Sequence, residues 1–516
     1  MSVARLTRVA WIIALLLFGW LMIFPIFAGI VVANDDLKFV RGSLNVGSLG
    51  ENILHGWSKT GSFRPLENIV ASFCDARTMS CWILIPVQFC GFAVVALGIV
   101  ALMRRVLPEC RFAAPLVLIW VSLSPSTMTS LWQMDTCSQT WVAALGLWCA
   151  VLSWDAFVAG QRASPDRAGM WRSLLLLFAV TVIAMNIKET FFGWSAAIGS
   201  CCILAVIVRW RRDVRAALRG AFVLVPIAVV PMIYLALRYK FGSIGSASVA
   251  SETEDGRYQV VLEDNILSNA VKSLFAMFCD GPLHQLMNQS AMIVVRMLPV
   301  TSVIASCVLL LAACALCILQ RRAQRTKSLR WVLLAAMVCM ASICVTLPMG
   351  DISDLYAFGP NIGSGLLLVI AAVVLWNPVD ANDRAITRSI AACATAILCV
   401  VGVYGVASRS YHFSMTWQYA TEINNRVLAH QASLPIGTVA DEPARIFVPR
   451  SCYTGHAYGQ VVVGPVQSMG IESITDWVNS LDPRRQIQFV EFYPIGFRAG
   501  VDLEIDCAKF PVRENW

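Results

Sequence analysis

Long apolar stretches, separated by short charged or turn-forming segments, recur along the chain from residue 10 almost to residue 407. Each is close to the roughly 20 residues that a helix needs to cross the hydrocarbon core. The pattern predicts spans at 10–33, 81–102, 112–131, 137–159, 173–187, 190–208, 219–238, 297–319, 331–348, 361–377 and 389–407. The third contains Pro125 and the fifth is short, so a break or tilt is expected in those two. Beyond residue 407 the long runs stop. Short alternating stretches at Arg445 to Val448, Gln486 to Glu491 and Val501 to Ile505 have the two-residue period of strands instead. The expected fold is therefore an all-α polytopic membrane protein of about eleven transmembrane helices (residues 1–407), followed by a small mixed α/β domain (408–516).

Two loops are more than linkers. Residues 34–80 begin with Asn34-Asp35-Asp36 and then place Leu49, Ile53, Leu54 and Trp57 at helical spacing, a pattern suited to a helix lying in the membrane interface. After Gly61, a second helix is expected from Pro65, a favoured first helical position. Its apolar stripe would be Leu66, Ile69, Val70 and Phe73. Residues 239–296 run from a Gly/Ser-rich stretch through an acidic one to an amphipathic segment at Ile266 to Phe278.

Composition agrees with the pattern: 58% of the 516 residues are hydrophobic and 14% charged, too apolar for a water-exposed surface. The net charge of +8 is a topology signal rather than a nucleic-acid footprint. Arg104-Arg105, Arg162 to Arg172, Arg209 to Arg219 and Arg321 to Arg330 fall in alternate loops, while the facing loops are acidic or neutral. The positive-inside rule then puts the N-terminus in the cytoplasm and, with an odd number of spans, the C-terminal domain outside. Trp171, Trp210, Trp331 and Trp376 at inner ends, and Trp82 and Trp132 at outer ends, are expected in the interfacial belts. The first run is too long for a signal-peptide core and is expected to stay as a helix, although Val32-Ala33 loosely resembles a cleavage site. Most of the eighteen cysteines lie inside spans, where cysteine is a small buried hydrophobe. Cys452 and Cys507 lie in the external segment and can pair if that compartment is oxidising.

The candidate chemistry is on the outer side. Asp35-Asp36 is an adjacent carboxylate pair at a helix end, where anchoring residues are usually basic or aromatic. Such a carboxylate can act as a general base on a hydroxyl or hold a divalent cation, though nothing in the sequence requires a metal. The plain alternative is a solvated helix end. Neighbouring helical positions point about 100° apart, so one of the two is expected to be the base. Arg64 directly precedes the helix at Pro65, where the helix dipole already favours an anion and a phosphate clamp is plausible. It can equally pair with Glu67 or a lipid headgroup. Lys188-Glu189 stands between two apolar runs, which is costly unless it faces a wet cavity or a partner. The chemical reading is Lys188 on a phosphate with Glu189 orienting it, and the plain one is a short turn. Asp351, Asp354 and Tyr356 form another external turn, and the scattered histidines, His55 among them, have no ligand spacing. There is no phosphate-binding glycine loop, no Ser-His-Asp order and no zinc signature.

Taken in order, Asp35-Asp36 after the first span, Phe63-Arg64-Pro65-Leu66, Lys188-Glu189 opening a helix, and Leu355-Tyr356 to Pro360 before a late span resemble the GT-C superfamily of integral-membrane glycosyltransferases. The likeness covers roughly residues 10–410 and is nearest to bacterial polytopic glucosyl- and mannosyltransferases and to the membrane half of the O-mannosyltransferases that carry tetratricopeptide repeats. It implies a bacterial inner-membrane enzyme that takes a sugar from a polyprenyl phosphate and inverts the anomeric centre, passing it to a glycan, lipid or protein acceptor. Carried over, Asp35 or Asp36 would be the base. Arg64 and Lys188, with Glu189, would hold the donor phosphate, and His55, Asp351, Asp354 and Tyr356 would line the cavity. Two departures stand out: Asp354 occupies a place where arginine is common, and no repeat domain follows. The rival readings are a transporter or lipid-linked glycan flippase, and a glycan polymerase or ligase.

Overall fold

The computed structural model describes residues 3–30, 48–51, 65–75, 78, 80–134, 136–161, 166–188, 190–241, 326–346, 358–376, 421–437, 443–448, 475, 478–491 and 496–505, with separate positions between 403 and 418. Among these, six helices are long and apolar enough to cross a membrane, or seven when one bent pair is counted as a span. The protein is a multi-pass helical membrane protein with a small sheet near its C-terminus. The expected span at 297–319, and residues 389–402 of the one expected at 389–407, lie outside the described residues.

Helix α1 (Val3–Ala28) closes on Gly29, whose φ of 72° lets its N–H return to the Pro25 carbonyl at 3.0 Å. The Ile30 carbonyl then accepts from Cys81 N–H at 3.3 Å, so the chain leaves the bundle and re-enters it at one place. Between them lies the short α2 (Pro65–Ala71), and α3 (Leu84–Val106) follows. The expected break at Pro125 is there: α4 (Ala113–Ser122) and α5 (Pro125–Trp132) meet at about 70°. Pro125 cannot donate to the preceding turn, so the backbone must find other partners in a region without water. Thr127 Oγ1 donates to the Val121 carbonyl at 2.6 Å, and Asn361 Nδ2 donates to both Ser124 Oγ and Ser126 Oγ.

Helix α6 (Cys137–Gln161) is the centre of the described bundle, packed between α3 and α7 (Arg167–Met185). Helix α8 (Phe191–Trp210) leads into α9 (Val214–Ala221), which continues through a π-turn at Val225–Val229 into α10 (Val230–Phe241). Pro226 and Pro231 remove backbone donors there, and a widened turn is a common answer to that loss. Helix α11 (Thr326–Ala341) tightens into a 3-10 turn, Ser342–Thr346, and packs on α12 (Phe358–Trp376). Trp120 Nε1 donates to Ser364 Oγ at 2.9 Å and joins α12 to α4.

The two ends of the bundle differ. At the basic end, Arg105 grips Asp155 with two bonds of 2.7 and 2.6 Å, and Arg219 Nε donates to the Gly160 carbonyl at 2.8 Å. Trp171, Trp210 and Trp331 at this end are exposed, as is Trp82 at the other, in keeping with interfacial belts. Trp132 departs from the expectation. It is buried, donates to the Leu21 carbonyl at 2.9 Å and packs among Phe24, Phe413 and Trp417. An indole whose N–H finds a carbonyl loses its reason to stay at the interface.

All described residues from 403 to 433 are helical, on both sides of the expected boundary at 407. The three predicted strands are present as β1 (Ala444–Val448), β2 (Ile487–Glu491) and β3 (Leu503–Glu504), parallel and ordered β2-β1-β3. Ile423 and Val427 of the helix, Ile446 and Ile487 of the sheet, and Val478 and Ile505 form the buried side of this domain.

Candidate functional site

Of its apolar stripe, helix α2 fully buries only Val70. Phe73 is exposed and Leu66 and Ile69 are half-buried, whereas Glu67, Asn68, Val70 and Ala71 face inward. Beside a membrane this inversion is reasonable, because apolar side chains gain by facing lipid and polar ones only by meeting partners inside. A covalent hairpin anchors the segment: Cys74 and Cys81 form a disulfide, and Asp75 N–H bonds to the Ser80 carbonyl at 2.9 Å. The pairing of Cys452 with Cys507 lies outside the described residues. The sequence did hold a signal for Cys74–Cys81, since both flank a short polar stretch in the loop expected outside.

The inward face of α2 meets a lysine. Lys188, in the turn between α7 and α8, has its Nζ 3.6 Å from Glu67 Oε1, with side-chain exposures of 3% and 0%. Ser138, on the first turn of α6, donates to the same carboxylate oxygen. Taking two such charges out of water costs several kcal/mol per ion, which only mutual attraction and further hydrogen bonds offset. A buried pair of this kind marks a place where charge is wanted. The sequence named Glu189 as the carboxylate for Lys188. Glu189 lies outside the described residues, and Glu67, considered only as a neighbour of Arg64, is the group that Lys188 meets.

One residue further along α6 and two further along the α7–α8 turn, a pocket opens. Thr190 stands at the N-cap of α8 but makes no capping bond to that helix. Its Oγ1 instead lies 3.3 Å from Gln139 Oε1. These two side chains line a small pocket, together with Val142 and Ala143 of α6, Trp194 of α8, Ser342 and Ile343 after α11, and Gly359 and Pro360 at the start of α12. The pocket therefore joins the first turns of three helices that are far apart in sequence. Close packing fixes its walls. A Cβ on Gly193 would lie 1.8 Å from the Ser342 carbonyl, and one on Gly146 would lie 2.3 Å from the Trp194 ring. Small residues let these helices approach closely.

Of the residues named from the sequence, Lys188 is the one the structure describes. Asp35, Asp36, His55, Arg64, Glu189, Asp351, Asp354 and Tyr356 lie outside the described residues. Segments next to them are seen: α1 ends just before Asp35, α2 begins just after Arg64, and α12 begins just after Tyr356. No group of three His, Cys, Asp or Glu among the described residues is placed to hold a metal ion. Glu67, Ser138, Gln139, Thr190 and Trp194 were not singled out as site residues. The one available signal was the polar run Ser138-Gln139-Thr140 opening an otherwise apolar span.

No protein-family model matches the chain, and no curated protein matches it. Among solved structures, it is similar to the crystal structure of ArnT from Cupriavidus metallidurans bound to undecaprenyl phosphate, with 13% identity, a TM-score of 0.46, and coverage of 93% of this chain and 89% of that one.

Proposed function

We propose that the protein is an inverting glycosyltransferase that moves a sugar from a polyprenyl phosphate to a cell-envelope acceptor on the outer face of the membrane. One observation carries this reading. Segments whose order in the sequence resembles the GT-C pattern converge in space: the helix after Arg64 meets Lys188, and Thr190, just past Lys188, shares a pocket with Gly359-Pro360. The Cys74–Cys81 disulfide supports placing this end in an oxidising compartment, as the positive-inside rule does. Nucleotide sugars are not supplied there, so a lipid-phosphate donor fits.

In the proposed reaction, Asp35 or Asp36 takes the proton of an acceptor hydroxyl and the acceptor oxygen attacks the anomeric carbon. The bond from that carbon to the phosphate oxygen breaks, and the sugar passes to the acceptor with inversion. Polyprenyl phosphate leaves with the bonding electrons. Lys188 and Arg64 stabilise the charge that grows on its oxygens. The test is transfer by the purified protein. It should use polyprenyl-phosphate sugars and ignore nucleotide sugars, and asparagine at the essential aspartate should lower turnover about a hundredfold to ten-thousandfold. Direct use of a nucleotide sugar, or full activity in both Asp35→Asn and Asp36→Asn, would sink the reading.

The broken α4–α5 pair favours a second reading, because transporters and flippases use discontinuous helices near their substrate sites. Proteoliposomes separate the two: lipid-linked sugar would be moved across the bilayer without any glycosidic bond being exchanged.

A further inference from the structure

The basic end of the bundle carries a surface that the proposed reaction does not use. Residues 209–219, where α8 passes into α9, hold five arginines and one aspartate. Packing sorts the arginines of this end. Arg219 is committed to the Gly160 carbonyl at 2.8 Å, and Arg105 to Asp155. Arg211, Arg212 and Arg215 are exposed, and none of their guanidinium groups meets a carboxylate or a carbonyl among the described residues. The carboxylates that open α7 and α9 cap their own helices instead. Asp166 accepts from Gly169 N–H at 2.9 Å and Asp213 from Ala216 N–H at 3.0 Å.

The same surface is apolar between its charges. Ala216, Ala217 and Gly220 turn inward: Gln161 Nε2 donates to the Ala216 carbonyl at 2.9 Å, and a Cβ on Gly220 would lie 2.8 Å from the Phe157 ring. On the outer side Val214, Leu218 and Phe222, four positions apart, form an exposed line, with Arg215 next to Val214. The Phe222 ring centre lies 5.9 Å from that of Trp171 on α7, and Trp210 is exposed at the end of α8. A free anion would meet the arginines and leave the apolar line uncovered. A phosphodiester above acyl chains matches both. Guanidinium forks fit phosphate oxygens, and the rings and aliphatic side chains lie at the acyl boundary.

We propose that the α8–α9 junction binds the headgroup of an anionic phospholipid in the leaflet at this end, the one that the positive-inside rule makes cytoplasmic, with Arg211, Arg212 and Arg215 on its phosphodiester. The site is independent of the transfer reaction. The experiment titrates the purified full-length protein, in micelles of a nonionic detergent, with dioleoylphosphatidylglycerol, dioleoylphosphatidylcholine or soluble glycerol phosphate. The readout is the lipid fraction that gives half of the rise in Tm. Phosphatidylglycerol should act at about tenfold lower fraction than phosphatidylcholine, and glycerol phosphate should have no effect. Arg211→Gln/Arg212→Gln should need about tenfold or more phosphatidylglycerol. Arg104→Gln/Arg111→Gln removes the same charge from exposed arginines of the same end and should keep the wild-type midpoint. Equal action of the two lipids on wild type overturns the site. So does an equal loss in both double variants, which would leave only diffuse attraction, and so does a full shift with glycerol phosphate, which would make the ligand a free anion. Should Arg211→Gln/Arg212→Gln not fold, Arg215→Gln decides. A midpoint about fivefold higher supports the site, and an unchanged one overturns it.

Discussion

Two buried carboxylates, one at each end of the chain's architecture, are treated very differently. In the C-terminal domain, Asp502 accepts from Arg445 Nη2 at 2.7 Å and Arg498 Nη2 at 2.9 Å, and from the backbone N–H groups of both arginines at 2.9 Å. Arg445 also lies 5.0 Å from the centre of the Phe447 ring. The cluster ties β1 to the turn before β3. In the membrane part, Glu67 meets a lysine ammonium at 3.6 Å and the Ser138 hydroxyl, a few residues from an open pocket. Planar guanidinium forks fix geometry, whereas a lysine is a compact charge on a flexible stem that can turn toward another anion. The first arrangement serves architecture. The second holds a buried cation a few residues from the pocket.

The sharpest way to break that contrast is to remove charge from the membrane pair. Lys188→Met or Glu67→Met alone should each cost about 3–5 kcal/mol, because the remaining ion stays buried and loses the partner 3.6 Å away. Thermal unfolding in detergent measures this. The double variant Glu67→Met/Lys188→Met should recover most of the stability, since well-packed apolar residues commonly replace a buried pair at little cost. It should not recover transfer, because in the proposed reaction Lys188 holds the donor phosphate. If the double variant is both stable and active, the pair is architecture like Asp502, and the contrast disappears.

The next effect concerns how α2 is held. Cys74 and Cys81 are 7 positions apart, and closing so short a loop contributes about 2–3 kcal/mol on the chain-entropy account. Cys74→Ser/Cys81→Ser should lower stability by that amount and weaken transfer through misplacement of Glu67. Both readings should be reproduced by mild reduction of the native protein. Full activity after reduction would mean that α2 needs no anchor.

How far the sequence carried is visible in these same residues. The spans among the described residues, the break at Pro125, the helix from Pro65 and all three strands follow from periodicity and proline geometry, which are local. The inward turn of α2 does not, because its apolar stripe reads alike whether it faces lipid or protein, and only Lys188 and Ser138 decide. Trp132 misleads for a similar reason. An indole at a helix end is an interfacial residue until a carbonyl such as that of Leu21 takes its N–H. Lys188 was legible because a charge between apolar runs must be explained. Gln139 and Thr190 were not, since neutral polar residues at a helix start carry no such burden.

On the C-terminal side, Asp502→Asn should cost about 1.5–3 kcal/mol, the range for hydrogen bonds to a charged group, and leave transfer untouched. Its pH signature has a definite sign. Burial pushes the Asp502 carboxyl up, but the hydrogen bonds from Arg445 and Arg498 outweigh it and hold the group well below the usual carboxylate range. A depressed value contributes stability that is fully present above the unfolded value of about 3.9 and fades as the pH falls through the folded one. Acid unfolding of the native protein, followed by protease sensitivity of the C-terminal domain, should therefore show a loss below about pH 4 that Asp502→Asn no longer shows.

The smallest effect separates fork from charge. Arg445→Lys keeps the positive charge but cannot offer two parallel donors, so it should lose the Nε and Nη2 bonds to Asp502, now at 3.2 and 2.7 Å, as a planar pair. Arg498 and the two backbone N–H groups still hold the carboxylate, so the expected cost is only about 1 kcal/mol. Arg445→Met, which removes the charge as well, should cost more, because Asp502 stays buried with one arginine fewer. Equal stability losses in the two variants would mean that the fork, not the charge, secures the cluster. If Arg445→Lys costs as much as Asp502→Asn, the cluster is no more redundant than the Lys188–Glu67 pair, and abundance of partners no longer distinguishes the two sites.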